Sequence, residues 1–321
     1  MAVMHEKAVL SCFSGDFAVM SELLETMEYI CRDCPRKCGV LRNTENKSGY
    51  CRSYSLPSVV RAAPHFGEEP CISGTRGSGA VFFSGCNLGC VYCQNREISR
   101  EACGKILGPE ELGDVILRLA DTGVHNINLV TATHFTRMVA KTLEKISLSI
   151  PVVWNSSGYE NAETLRMLDG LVQIYMPDIK YLRSDLALRY SAAKDYPETA
   201  KNALSEMFRQ TGRYVLDENG LMKRGLLIRH LILPGAELNT MDVIDYVSES
   251  FPEDSVIFSL MSQYTPIPGL SGFPELEAGI DAELNDRMCS YLRKSSITAG
   301  YWQEISSATE ELLPSFDLTG V

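Results

Sequence analysis

The feature of this chain that most constrains its fold is a run of three cysteines directly after a short apolar stretch. Residues 80–83 (Ala-Val-Phe-Phe) read as a buried strand, and Cys86, Cys90 and Cys93 follow with the spacing C-x3-C-x2-C. This spacing lets one loop present three thiolates, the ligands that iron–sulfur clusters take. A 4Fe-4S cluster has four irons, so we expect one iron to lack a protein ligand. Spacing alone leaves two alternatives, a zinc knuckle or three thiols without a ligand.

A second set of cysteines lies nearer the N-terminus. Cys31, Cys34, Cys38 and Cys51 have the spacing C-x2-C-x3-C-x12-C. Four thiolates complete a tetrahedral zinc site or hold a fully ligated auxiliary iron–sulfur cluster, and the spacing does not decide between the two. We therefore predict a small Cys-rich metal-binding segment over residues 1–75. The isolated cysteines are expected to be small buried hydrophobes or ordinary thiols: Cys12, Cys71, Cys103 and Cys289.

The composition narrows the class of protein. The chain has 321 residues, of which 45% are hydrophobic, so it can bury a large core. It has no uninterrupted apolar stretch of about 18 residues and no signal-peptide pattern, and its cysteines cluster as metal ligands do in a reducing compartment. We expect a cytoplasmic protein with no membrane contact. The net charge of -11 and the lack of a basic run make nucleic acid an unlikely partner class.

After the cysteine loop, short apolar runs alternate with helical patterns, which is typical of an α/β fold with a parallel sheet. Six strand–helix units over residues 76–321 predict a partial (β/α)6 barrel with the cysteine loop at the carboxyl end of its first strand. The predicted strands span 80–83, 126–131, 151–155, 172–176, 225–233 and 255–260, with a hairpin turn at 217–220. The predicted helices span 109–122, 136–147, 161–168, 185–212 with an interruption at Pro197, 238–250 and 282–294.

Polar residues follow or end these strands. The carboxyl ends of barrel strands meet on one face, where catalytic residues of such barrels collect, so five polar strand ends together indicate a ligand site. They are Thr131-Ala132-Thr133-His134, Asn155-Ser156-Ser157, Asp178-Ile179-Lys180, Arg229-His230 and Ser262-Gln263-Tyr264.

The C-x3-C-x2-C loop, with Tyr92 just before its third cysteine, resembles that of the radical S-adenosylmethionine (SAM) superfamily. Four segments are similar to the pyruvate formate-lyase activating enzyme-like branch of that superfamily. They are Cys34 to Gly39 (Cys-Pro-Arg-Lys-Cys-Gly), 131–134, 155–160 and 176–181. The resemblance implies that SAM binds the open iron. An electron delivered to the cluster then cleaves SAM, and the 5'-deoxyadenosyl radical abstracts hydrogen from a substrate.

The resemblance also implies roles for single residues. Lys180 would pair with the SAM carboxylate, and Arg229 would lie near the sulfonium. Asn155, Ser156, the Met176 carbonyl and Asp178 match positions that hold a monovalent cation. Thr131 to His134 stand where activating enzymes usually have Gly-Gly-Glu for the SAM amine, and can offer hydroxyl, carbonyl and imidazole acceptors. The residues expected to contact SAM are Asn87, Tyr92, Thr131, Thr133, His134, Asn155, Ser156, Ser157, Asp178, Lys180, His230 and Gln263.

The branch implies flavodoxin or ferredoxin as the electron donor and a glycyl radical enzyme as the substrate. The alternatives are radical modification of another peptide, an RNA or a small molecule. A different class, a non-catalytic iron–sulfur redox protein, would need a fourth sulfur near the central loop, with Cys103 or Cys71 as the candidates.

Overall fold

The computed structural model describes residues 28–101, 103–303 and 314–321, and Cys12 lies outside them. Its strands are β1 (Tyr29–Ile30), β2 (Leu41–Arg42), β3 (Ser58–His65), β4 (Ser78–Phe83), β5 (Lys105–Ile106), β6 (Ile127–Val130), β7 (Val152–Ser156), β8 (Ile174–Pro177), β9 (Val215–Leu216), β10 (Met222–Leu231), β11 (Ile257–Met261) and β12 (Gly300–Trp302). Its α-helices are α1 (Pro70–Ser73), α2 (Arg96–Glu101), α3 (Pro109–Asp121), α4 (Thr136–Lys145), α5 (Ala162–Leu165), α6 (Ser184–Ser191), α7 (Tyr196–Thr211), α8 (Glu237–Ser250) and α9 (Ala282–Leu292).

One large, mainly parallel sheet organises the molecule. Its strand order is β12-β11-β10-β8-β7-β6-β4-β3-β5, and every pair from β4 to β12 along that path is parallel. All six predicted strands are present. Helices connect the parallel strands, as crossover connections require. The fold is therefore the α/β class that the alternation predicts.

Both faces of the sheet are buried, because alternate residues of a strand point to opposite sides. In β10, Leu226 and Ile228 pack with the helices, whereas Leu227 lies in a separate inner cluster. The short helix α1 contributes Cys71 and Ile72 to that inner cluster and so fills the inside of the sheet. Burying a side chain of this size stabilises the fold by roughly 1.5–3 kcal/mol. This packing fixes the strand ends that form the site.

The sheet extends beyond the predicted six strands at both edges. β12 adds a seventh parallel strand, because Gly300–Trp302 pairs with β11. At the other edge β3 pairs antiparallel with β4, so the main sheet already includes residues before the predicted boundary at residue 75. The segment 314–321 runs along β3, where the Ala62 amide donates to the Thr319 carbonyl at 2.9 Å and Arg61 pairs with Asp317 at 3.1 Å.

The segment that carries the first cysteine set has little regular structure. β1 and β2 are two residues each and form their own small antiparallel sheet. The chain from 28 to 57 is otherwise turns, with left-handed backbone at Lys37, Gly39, Gly49 and Arg52. Ten cysteines fall in the described residues, and all of them are free thiols. Across those same ranges, no helix is both long and apolar enough to cross a bilayer.

Candidate active site

A cavity of about 640 Å³ lies at the carboxyl ends of the parallel strands. Its volume is within the roughly 300–1,000 Å³ typical of small-molecule sites. Strands far apart in the sheet order contribute to it, since Phe82 of β4 and Trp302 of β12 line the same space, which shows that the sheet curves around it. The predicted site residues in its lining are Cys86, Cys90, Tyr92, Cys93, Thr131, Asn155, Ser156, Ser157, Asp178, Lys180, Arg229 and Gln263.

The loop after β4 turns its three cysteines toward this cavity. Gly85 and Gly89 have φ of 83° and 66°, a left-handed backbone that glycine adopts without strain. The Leu88 amide donates to Cys86 Sγ at 3.4 Å, and the Ser191 hydroxyl donates to Cys90 Sγ at 3.2 Å. Donors aimed at sulfur suit a thiolate that carries charge.

The donor set fits a 4Fe-4S cluster with one open iron. Cys86, Cys90 and Cys93 line the cavity, whereas Cys71 and Cys103 do not. Cys71 is buried in the inner cluster beside α1, and Cys103 is exposed. Burial, and then the neighbouring Cys90 and Cys86, raise the pKa of Cys93 to about 12. The Cys93 thiol is therefore protonated without a metal, and cluster binding must displace its proton.

Tyr92 fixes the end of the cysteine loop. Its hydroxyl accepts from the Tyr181 hydroxyl at 2.9 Å, and its ring makes edge contacts with Tyr181, Tyr190 and Tyr264. Aromatic pairs of this kind contribute roughly 0.5–1.5 kcal/mol each beyond their burial. Tyr92 therefore both lines the cavity and anchors the loop to the elements that follow β8.

A buried charge network covers the inner wall of the cavity. Asp178 accepts from Lys180 Nζ at 2.7 Å and from Arg229 Nε at 2.9 Å, and Arg229 also pairs with Glu68 at 2.9 Å. Burial alone would raise the pKa of Asp178, but the two cations outweigh it and lower that pKa. Burial likewise opposes the charge of Lys180, yet Asp178, and after it Cys90, raise its pKa. Lys180 therefore stays charged beside the cysteine loop.

The arrangement does not favour the predicted monovalent cation. Asn155 Oδ1 accepts from Arg229 Nη2 at 2.7 Å, and both Asp178 oxygens accept from protein cations. The side-chain oxygens of Asn155 and Asp178, two of the groups expected to coordinate a cation, are thus occupied by the guanidinium of Arg229 and the ammonium of Lys180. The positive charge at this point comes from the protein itself.

Two acidic residues of the site were not predicted from the sequence. Glu68 and Glu69 precede α1, on the connection from the edge strand β3, outside the strand–helix pattern. Glu68 accepts from Asn128, Asn155 and Arg229, whereas Glu69 Oε2 is buried without a partner in the described residues. Burial raises the pKa of Glu69. The one available signal was the pair of carboxylates before Pro70 in an apolar context.

Four predicted SAM contacts point away from the cavity. Thr133 donates to Glu160 at 2.9 Å, and Asn87 donates to the Tyr159 carbonyl at 2.7 Å. His230, which β10 turns to its helix side, pairs with the Ile179 carbonyl at 2.6 Å and the Thr240 hydroxyl at 3.0 Å. None of the three lines the cavity.

His134 is the fourth, and it lies between the two cysteine sets. A single 3-10 turn over Thr133–Phe135 directs its ring behind the strand end. Its Nε2 bonds the Ser84 carbonyl at 2.9 Å, and its ring lines a small space next to Cys31 and Cys51. Burial lowers the pKa of His134 to about 3, so the ring is neutral.

The N-terminal cysteines surround that small space, of about 10 Å³. It is lined by Cys31, Cys34, Cys38 and Cys51 together with Arg42 and His134. Within residues 28–101, 103–303 and 314–321, no three or more Cys, His, Asp or Glu side chains are arranged so that they could hold a metal ion. This finding applies alike to both cysteine sets.

Comparison with known proteins agrees with this site. Residues 80–217 match the model of the radical SAM superfamily, a range that begins in β4 and includes the three cavity-facing cysteines. An uncharacterised protein of Methanocaldococcus jannaschii is 28% identical over 284 residues, which cover 84% of this chain and 76% of that protein. The superfamily implies a 4Fe-4S cluster and SAM, while neither comparison supports the activating-enzyme branch. Over residues 80–217 this chain is therefore similar to the radical SAM superfamily.

Proposed function

We propose that the protein is a radical SAM enzyme whose cluster is held by Cys86, Cys90 and Cys93 and whose SAM lies against Lys180. The observation that carries this proposal is the open ligand set. Three thiols line a cavity of about 640 Å³, and no fourth cysteine of the described residues lines it. A non-catalytic redox protein would need that fourth sulfur, so the same observation disfavours it.

When bound, the cluster and SAM supply the 5'-deoxyadenosyl radical. The chain's own residues then have distinct tasks. Lys180, held by Asp178 at 2.7 Å, offers a fixed positive charge for a carboxylate, and Tyr92 closes the wall beside the cysteine loop. Thr131, with φ of 63°, and Ser157 supply polar groups at two neighbouring strand ends.

The far end of the cavity is the proposed substrate end. Glu69, Ser259 and Trp302 line it. Burial raises the pKa of the Glu69 carboxyl, and one of its oxygens has no hydrogen-bond partner in the part of the chain described. An acid of this kind suits a substrate that brings a polar hydrogen-bonding group. A glycyl residue of a partner enzyme stays the substrate that the sequence resemblance suggests, with flavodoxin or ferredoxin as the electron donor.

The test is anaerobic incubation of the reconstituted protein with dithionite and SAM, followed by measurement of 5'-deoxyadenosine and methionine. We expect both products in equal amounts, and the same rate from Cys103→Ala, which removes an exposed thiol away from the cavity. Fully loaded protein that forms no product, and whose cluster spectrum SAM leaves unchanged, would refute the proposal and favour the redox protein.

A further inference from the structure

Arg36 connects the two cysteine sets directly. It lies between Cys34 and Cys38, yet its guanidinium reaches the loop of the other set. Nε donates to the Asn87 carbonyl at 2.9 Å and Nη2 to the Leu88 carbonyl at 3.0 Å. Asn87 and Leu88 stand between Cys86 and Cys90 in the sequence, so Arg36 contacts the loop backbone within the cluster motif.

The same guanidinium also holds the end of α6. Nη2 donates to the Ser191 carbonyl at 2.7 Å, and Nη1 donates to the Ala192 carbonyl at 2.5 Å. The Tyr50 ring lies 3.8 Å below the guanidinium carbon and orients its plane. Ser191 is the residue whose hydroxyl donates to Cys90 Sγ. One side chain of the N-terminal segment thus positions both the cluster loop and a donor to its sulfur.

Two further contacts join the N-terminal segment to the cluster loop. Arg100 Nη2 donates to the Gly89 carbonyl at 2.6 Å and also reaches the Tyr50 hydroxyl at 3.4 Å. A side chain at Gly85 would have its Cβ 2.6 Å from the Cys51 carbonyl, so the two segments touch at the backbone. The position of the cluster loop therefore depends on how firmly residues 31–51 are held.

Regular structure holds those residues only weakly. β1 and β2 contribute two residues each, and the rest is turns. Two hydrogen bonds hold the turns that carry cysteines. The Lys37 amide donates to the Cys34 carbonyl at 3.0 Å, and the Tyr50 amide donates to Cys38 Sγ at 3.5 Å. A segment of this kind needs a cross-link, and a metal that binds four thiolates supplies one.

Arg42 points to negative charge among these thiols. It is 1% exposed and lines the same small space as the four cysteines. It donates to the carbonyls of His134 and Tyr54, and its Nε has no hydrogen-bond partner in the described residues. The buried acid of the same segment, Asp33, pairs instead with Arg137 at 2.7 Å. A buried cation without a counter-ion is costly, and four metal-bound thiolates would provide the missing charge.

The size of the space favours the smaller of the two possible metal centres. About 10 Å³ is room for roughly one water molecule, and so for a single ion that draws the thiols inward. A four-iron cubane would need far more. Four thiolates around one ion are the donor set of structural zinc, which forms closed tetrahedral sites.

We propose that Cys31, Cys34, Cys38 and Cys51 bind one zinc ion. We further propose that this zinc site holds the loop of Cys86, Cys90 and Cys93 in position through Arg36. Arg36 is a positioning residue, since it contacts the loop carbonyls and lies outside the cavity lining. Zinc fixes the turn that carries Arg36, and Arg36 fixes the loop that carries Cys86 and Cys90.

The test counts metals in the whole protein after anaerobic reconstitution with iron and sulfide. We expect one zinc and four irons per chain in the wild type, and loss of zinc in Cys34→Ser. Arg36→Ala should keep its zinc but lose at least half of its iron, and should need at least tenfold more SAM to change the cluster's electron paramagnetic resonance signal. The matched control Arg32→Ala removes an exposed arginine of the same segment and should behave as wild type.

The results that would overturn the proposal are equally specific. Wild-type protein with no zinc, or with about eight irons, would exclude the zinc site even if Cys34→Ser fails to fold. Arg36→Ala with normal iron and a normal response to SAM would exclude the positioning role of Arg36. Because metal contents do not depend on turnover, these results are separable from a failure of SAM cleavage.

Discussion

The two cysteine sets share a ligand type but differ in what surrounds them. The N-terminal set has four thiols around a space of about 10 Å³, with the buried Arg42 as neighbour. The central set has three thiols on the wall of a cavity of about 640 Å³, with Lys180 nearby. Structural metal sites are closed and reactive ones keep a position open. The comparison teaches that two cysteine sets with the same ligand type can differ in donor number and adjacent free volume, the features that distinguish closed from open metal sites.

The largest expected effect comes from removing one cysteine from each of the two sets. Cys86→Ala should reduce 5'-deoxyadenosine formation more than about a hundredfold, the upper figure for residues that only support a metal ligand. Cys34→Ala should instead lower the melting temperature, by about 5–10 °C for a loss of a few kcal/mol in a chain of this size. Product assays and thermal melts on both variants measure this. Equal effects of the two substitutions on stability would show that the sets do not differ in role.

The two buried cations sharpen the comparison further. Lys180→Met removes a charge that faces the cavity, so half-maximal SAM binding should need about tenfold to a hundredfold more SAM, as for a lost hydrogen bond to a charged group. Arg42→Met should leave SAM binding unchanged and lower the free energy of unfolding by about 3 kcal/mol, if thiolates lose their counter-ion. Titration with SAM and urea denaturation separate these outcomes, and weaker SAM binding in Arg42→Met alone would contradict them.

The smallest expected effect concerns the pH dependence of stability that comes from His230, a residue outside both cysteine sets. Burial lowers the pKa of His230 from 6.5 to about 4 in the fold. The unfolded chain therefore takes up the proton first, and stability falls as the pH drops below 6.5. Between pH 7.5 and 5.5 the loss from this residue is about 1 kcal/mol. His230→Gln should be less stable at pH 7.5 but should lack this share of the pH dependence in urea denaturation. An unchanged pH slope would show that folding does not lower the pKa of His230.

Much of the fold could be predicted because the parallel strands are apolar runs bounded by turn residues. All six predicted strands and the helices between them are found within a few residues. β12 has only three residues, too few for a periodic pattern, and β3 contains Pro64 and is followed only by the four-residue helix α1. Strand pairing over long sequence distances reveals such elements, and a local pattern does not.

The sequence predicts cavity residues that lie at the end of a strand. It does not predict the direction in which the neighbouring side chains point. Asp178 and Lys180 line the cavity as expected, whereas His230 follows Arg229 and faces the opposite side of β10. A 3-10 turn directs Thr133 and His134 away from the cavity, and their sequence contains no signal that predicts this turn. Glu68 and Glu69 come from a connection outside the repeated units, so only the folded sheet brings them to the cavity.

The segment 314–321 along β3 has a consequence for how the molecule behaves among its neighbours. The Leu318 amide donates to the Val60 carbonyl at 3.0 Å, and the Ala62 amide donates to the Thr319 carbonyl. These bonds occupy backbone groups that an outer strand would otherwise offer to another polypeptide. Removing these eight residues would expose these backbone groups, which could then pair with a strand of another molecule.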